Sequence, residues 1–184
     1  MSYLVDSDFE NYYSLTLDVS DLAEKMPSYS QRFRAKPRLD KWVAPKAHFY
    51  ASDNYTGKEE SIPDITTWAL GNIVLSPRAF SSLKDILNSS GEFLPLLIGD
   101  ETYHMFNTLY VIPEEYVDST NAVEVVNSGV HMGQDSVKFI DSELEGHCIF
   151  KSYTNKLTFS FVTEEFKTAY EANSFTGLKF QEVS

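Results

Sequence analysis

The side chains best suited to chemistry are four histidines (His48, His104, His131 and His147), one cysteine (Cys148) and 27 acidic residues. Metal capture needs ligands that converge, and no two histidines have the H-x-x-x-H spacing that places both on one helix face. His147 and Cys148 are adjacent, so in a strand they would point to opposite faces; zinc is not expected. A Cys–His nucleophile pair stays open on the sequence, while the simpler reading of Cys148 inside "CIFKSY" is a small buried hydrophobe. There is no G-x-S-x-G elbow, P-loop or dinucleotide fingerprint, and Gly129 and Gly133 are too few to cradle a phosphate. Carboxylates are abundant, and a pair of them becomes informative only when its surroundings push the two pKa values apart. No catalytic set, metal or cofactor is expected.

The elements that would position these groups are mixed. "NYYSLTLDV" alternates, with Tyr13, Leu15, Leu17 and Val19 on one face of a half-buried strand. "AHFYAS" reads as a short strand, and the loop after it carries Gly57, Glu59, Glu60 and Pro63. The clearest helix lies in "NIVLSPRAFSSLKDILNSSG": Ser76 as N-cap, Pro77 at the first turn, a stripe of Phe80, Leu83, Ile86 and Leu87, and Gly91 just past the end. "EFLPLLI" and "TYHMFNTLYVI" flank a turn at Gly99 and predict a hairpin. "VKFI", "GHCIFKSY" and "NKLTFSFV" read as strands, followed by a helix "TEEFKTAYEAN" capped by Thr163. In the closing "TGLKFQEV", alternation puts Leu178 and Phe180 on one face and Val183 off it, so a bulge near Gln181 or a frayed end is expected. "IVLSPRAFSSLKDILNSSGEFLPLL" and "FSFVTEEFKTAYEANSFTGLKFQEV" echo each other as strand, hydroxyl cap, helix and strand. A duplicated unit and two uses of the same physics are both open readings. The pattern predicts an α+β fold, a mainly antiparallel sheet with a few short helices, in one domain spanning 1–184.

Charge narrows the partners. Fifteen Lys and Arg face 27 Asp and Glu, a net −12 that disfavours direct nucleic-acid or anionic-membrane binding and suits a basic protein partner. The only basic cluster is Arg32, Arg34, Lys36, Arg38, Lys41 and Lys46, read as a solvated loop offsetting acidic neighbours. A lone cysteine cannot close an intramolecular disulfide, no apolar run is long enough to span a bilayer, and the N-terminus lacks the pattern of a secretory signal. The expected location is the cytoplasm. Residues 113–146 form an acidic stretch opposed only by Lys138 and interleaved with Tyr116, Val117, Val123, Val125, Val126, Val130, Met132 and Phe139. Apolar anchors in a like-charged field suit a basic partner. The plainer alternative is an ordinary loop-and-strand region with core contacts. The residues expected at such an interface are Glu114, Glu115, Tyr116, Asp118, Asp135, Asp141, Glu143 and Glu145.

The order of motifs carries a further signal. "NIVLSPRAFSSL", "FLPLLIGDETYHMFNTLYVIPEEYVDST", "GHCIFKS" and "FVTEEFKTAYEANSFTGLKFQEV" follow one another across about residues 68–184, with 1–67 as a variable N-terminal part. This order resembles a bacterial polymorphic-toxin immunity family, once catalogued as a domain of unknown function. Members have a Ser-initiated helix, a Gly-x-x-Ile-Phe strand and a closing Thr-Gly-Leu-x-Phe strand. Lys151 stands where Arg is common in the family, and Thr163 where Ser is frequent at the cap. The resemblance implies an immunity protein that neutralises a cognate toxin by stoichiometric binding, with a basic toxin domain as its partner and no catalytic residues to carry over. The alternatives are a carboxylate-dependent hydrolase, or other small enzyme, reversing a toxin's modification, and a self-associating module.

Overall fold

The computed structural model describes residues 1–27, 32–57, 61–69, 71–127, 130–135 and 137–183; the side chains of 125–127, 130–135 and 141 fall outside the described residues. Glu59, Glu60 and Gly129 also lie outside them. The chain opens with β1 (Ser2–Ser7) and β2 (Ser14–Leu17), then turns into α1 (Val19–Lys25). Leu15 and Leu17 are buried as their alternation predicts, whereas Val19 begins the helix and is 75% exposed. Asp18 causes the switch: its carboxylate accepts from the Asp21 backbone N–H at 2.9 Å and caps α1. The "AHFYAS" strand is β3 (Ala47–Tyr50), paired antiparallel with β2.

β4 (Ile65–Trp68) and β5 (Asn72–Leu75) pair antiparallel and lead into α2 (Pro77–Leu87). Ser76 caps α2 as expected, its Oγ accepting from the Ala79 N–H at 3.2 Å, with Pro77 at the first helical position. Leu83 and Leu87 are fully buried and Phe80 and Ile86 half-buried. Full burial of each such leucine contributes about 1.5–3 kcal/mol, far more than the intrinsic propensity of one short helix. Gly91 is not a helix-ending glycine: its φ of 173° is extended, and it opens β6 (Gly91–Ile98). The position excludes a side chain because a Cβ there would lie 2.2 Å from the Asn107 carbonyl oxygen. β6 and β7 (Glu101–Thr108) form the expected hairpin, with Gly99 at φ +59° in the two-residue turn between Ile98 and Glu101.

The acidic stretch contributes β8 (Val117–Asp118), β9 (Val123–Asn127), β10 (Val130–Asp135) and β11 (Lys138–Phe139), the last from "VKFI". The final strands are shorter than their patterns predict: β12 (Ile149–Phe150) and β13 (Phe161–Thr163). Between them a 3-10 turn at Tyr153–Asn155 and left-handed backbone at Lys156 and Leu157 interrupt "NKLT". α3 (Glu164–Ala172) and β14 (Leu178–Val183) close the described chain. Thr163 occupies the cap position of α3 without capping it through its side chain. Its N–H donates to the Cys148 carbonyl at 3.0 Å, which holds the residue to β12 instead.

The fold is α+β, built on two four-stranded antiparallel sheets ordered β4-β5-β7-β6 and β12-β13-β1-β14. The two sequence echoes adopt one arrangement. In each, a strand leads through a helix to a second strand, and a third strand lies antiparallel between them. The inserted strand is β7 in the first sheet and β1, from the other end of the chain, in the second. The sheets meet where the Ser7 hydroxyl lies 3.0 and 2.8 Å from those of Thr66 and Thr67 and accepts from the Thr67 N–H at 2.7 Å.

Among the described residues, three apolar clusters fill the fold. The largest joins both sheets to α2 and α3 through Tyr3, Ile73, Leu83, Phe106, Val162 and Phe166. A second lies on the other face of the first sheet, where Leu15, Leu17, Leu22 and Phe33 cover Val74, Leu94, Leu96 and Met105. The third lies on the outer face of the second sheet, between Phe150 and Phe161 on one side and Ile112 and Leu144 on the other. This third cluster corrects the expected bulge in β14. The β1–β14 register is unbroken from Ser2↔Val183 to Ser7↔Leu178. Leu178 and Phe180 face the largest cluster, and Val183 alternates onto the third.

Candidate protein-binding face

Two parts of the acidic stretch, at 113–118 and 138–144, are laid over the outer face of the second sheet. Ile112 reaches it through a parallel bridge: its N–H donates to the Lys151 carbonyl at 3.0 Å, and the Lys151 N–H donates to the Tyr110 carbonyl at 2.9 Å. Pro113 then starts a 3-10 turn, Glu114–Tyr116, whose fixed proline φ of −59° suits a tight turn. β8 pairs antiparallel with β11, setting Val117 opposite Phe139 and Asp118 opposite Lys138. The Ile140 N–H donates to the Tyr116 carbonyl at 3.1 Å, so the turn at Asp141–Leu144 follows beside the first. The Tyr110 hydroxyl donates to the Glu143 carbonyl at 3.0 Å.

This ribbon sorts its side chains by face. Tyr116, Val117 and Phe139 pack half-buried on the third cluster, and Leu144 is buried within it. The Phe139 ring lies 4.9 Å from that of Phe150 and 4.8 Å from that of Phe161. Glu114, Glu115, Asp118 and Glu145 are exposed, and Glu143 is half-buried. Asp118 is held in place: its Oδ1 accepts from the Thr120 hydroxyl at 2.5 Å and the Thr120 N–H at 2.9 Å. The Thr120 hydroxyl and then its N–H hold the Asp118 carboxyl below its ordinary pKa.

The structure therefore brings 114–118 and 138–145 together. Of the expected interface residues, Tyr116 faces largely inward, and the interleaved apolar residues with described contacts serve the core. Asp135 lies in β10 and Asp141 opens its turn, but their side chains fall outside the described residues. Among the described side chains of the stretch, the large apolar groups left in solvent are Ile140, 45% exposed, and Val123, 60% exposed. Ile140 was not singled out by the acidic pattern; its neighbour Phe139 being buried in a strand is the signal that turns it outward.

The cysteine and the histidines with described side chains each have separate surroundings. Cys148 is buried, its thiol donates to the Ile86 carbonyl at 3.1 Å, and burial pushes its pKa up to about 12. His147 stacks on Tyr110 with ring centroids 3.6 Å apart and lies 3.3 Å from the Ser90 hydroxyl through Nδ1. Burial holds it below the usual histidine pKa. His104 stacks on Phe80 at 3.7 Å, His48 is exposed on β3, and the side chain of His131 lies outside the described residues. Among the described residues no group of three or more His, Cys, Asp or Glu could hold a metal, and no helix is long and apolar enough to cross a membrane. A scan against protein-family models matches none, and a search of curated proteins finds no significant match.

Proposed function

We propose that this chain is an immunity protein that binds a basic toxin domain and covers it stoichiometrically, with the ribbon at 113–118 and 138–145 as the contact face. One observation carries the reading: Glu114, Glu115, Asp118 and Glu145 are exposed on a ribbon whose Tyr116, Val117, Phe139 and Leu144 side chains are anchored in the third cluster. The acids are thus presented on a surface positioned before the partner arrives, which lowers the ordering cost of binding. Complementary charge would set the association rate, and Ile140 supplies an exposed apolar contact within the field. The motif order of residues 68–184 supports the same reading through the family resemblance. The enzymatic alternative draws less support from Cys148 and His104, because the thiol is buried against the Ile86 carbonyl and the imidazole is stacked on Phe80.

The test pairs the chain with the product of the neighbouring gene and follows association by surface plasmon resonance at several salt concentrations. Glu114→Lys, Glu115→Lys and Glu145→Lys together should slow association by about 10–100-fold at low salt and flatten its salt dependence. Association kinetics unchanged by the triple reversal would move the contact face elsewhere, and absence of any complex would refute the immunity reading.

A further inference from the structure

The basic loop encloses a second candidate site, on the first sheet and independent of the acidic ribbon. A cavity of about 390 Å³ opens between the end of α1 and this loop, with Lys25, Lys36, Arg38, Lys41 and Trp42 in its wall. That volume falls in the range of small-molecule sites. Among the described residues no carboxylate lines it, in a chain of net charge −12. Lys25 is paired with Asp21 at 2.9 Å, but Lys36 and Lys41 have no ion-pair or hydrogen-bond partner for their ammonium groups among the described residues. The Arg38 guanidinium lies over the Phe33 ring at 4.9 Å and donates to the Arg32 carbonyl at 3.2 Å, and its Nε is buried without a hydrogen-bond partner.

The wall is pinned to the sheet beneath it. The Glu92 carboxylate of β6 accepts from the Arg38 N–H at 2.6 Å and from the Leu39 N–H at 3.3 Å. The Asn107 amide of β7, fully buried, donates to Glu92 at 2.7 Å and to the Lys36 carbonyl at 2.9 Å. The Trp42 indole N–H donates to the Pro95 carbonyl at 2.8 Å, and its ring meets Phe33 edge-on at 6.2 Å. Like charges on a free loop would spread apart, whereas these are held around one volume by backbone bonds to Glu92, which is not among the cavity's described lining residues. Such a wall is organised in advance for an anion.

We propose that this cavity binds a small phosphorylated ligand with a planar ring, of the nucleoside phosphate class. Lys36, Lys41 and Arg38 would take the phosphates, and the Trp42 indole would pack against the ring. Calorimetry with adenosine diphosphate, inorganic pyrophosphate and adenosine, on the unaltered chain and on Lys36→Gln/Lys41→Gln, tests it. Both lysines are exposed, so the double variant should keep its melting temperature. The expected result is binding in the order adenosine diphosphate, pyrophosphate, adenosine, weakened about tenfold for each lysine removed and further by salt. No binding of adenosine diphosphate or pyrophosphate at millimolar concentration, or an affinity unchanged in the double variant, overturns the site. Pyrophosphate binding as tightly as adenosine diphosphate overturns the role given to Trp42.

Discussion

Replacing Lys151 with Met would isolate the cost of a buried charge. Lys151 is 1% exposed, and its ammonium donates to the carbonyls of Leu157 at 3.2 Å and Thr158 at 3.1 Å. Burial lowers its pKa from 10.5 to about 8. The difference of 2.5, at 1.36 kcal/mol each, corresponds to about 3 kcal/mol. The sign follows from which state holds the proton. Below about pH 8 both folded and unfolded chains are protonated, and the folded state bears the full cost. Between about 8 and 10.5 the unfolded chain binds more protons, so this residue's contribution to the unfolding free energy rises with pH by up to about 3 kcal/mol. The Met variant lacks that rise. It also leaves two carbonyls without a donor, a cost of about 1–3 kcal/mol each that does not vary with pH.

Urea unfolding of both proteins from about pH 7 to pH 10 separates the two effects. The tyrosines whose pKa values are raised by burial or by a carboxylate neighbour are common to both proteins and cancel in the difference. The unfolding free energy of the native chain minus that of the variant should climb across this window. A difference that stays flat would refute the burial cost assigned to Lys151, whatever its sign at neutral pH.

Three further outcomes are expected. Gly177→Ala should cost about 3 kcal/mol or more, because φ is +103° and the new Cβ would lie 2.2 Å from the Ile65 carbonyl oxygen. Gly146→Ala, at φ +80° with open space around it, should cost only about 1–2 kcal/mol, and equal losses in urea unfolding would discount the close approach. The Cys148 thiol should resist a thiol-specific reagent in the folded chain at neutral pH and react on denaturation, followed by absorbance; fast native reaction would contradict its burial. Phe139→Ala should lose about 3–4 kcal/mol, read as a lower melting temperature, because the ring packs against both Phe150 and Phe161.

The parts of the fold legible in sequence were those fixed locally. Ser76, Pro77 and the Phe80–Leu87 stripe specify α2 within one stretch, and Gly99 specifies its hairpin turn. β1 was not legible because both of its faces are covered: Tyr3 and Val5 enter one cluster and Leu4 another, so "SYLV" does not alternate. β4 was obscured by Thr66, a buried polar residue matched only by Ser7, 59 positions away. Val183 looked misplaced for the same reason as β1, since a strand's second face reads as an error until something is known to cover it. The acidic stretch shows the limit for the site. Its charges and apolar residues were both visible, but nothing local says that Tyr116, Val117 and Phe139 would be spent on sheet β12-β13-β1-β14.

That division has a consequence for how such a face could change. In β8 and β11 the paired residues alternate strictly: Val117 and Phe139 face the cluster, and Asp118 and Lys138 face away. Each face of the ribbon therefore answers to a different constraint. Exposed positions such as Glu114, Glu115 and Glu145 can alter charge within about 0.5 kcal/mol of the original stability, whereas the inward positions cannot shrink without opening a cavity. A one-residue slip in register would exchange the two sets and is opposed by the aromatic contacts of Phe139. A binding surface on such a ribbon can be rewritten for a new partner while the sheet beneath it stays closed, and the charge pattern could diverge faster than the apolar one.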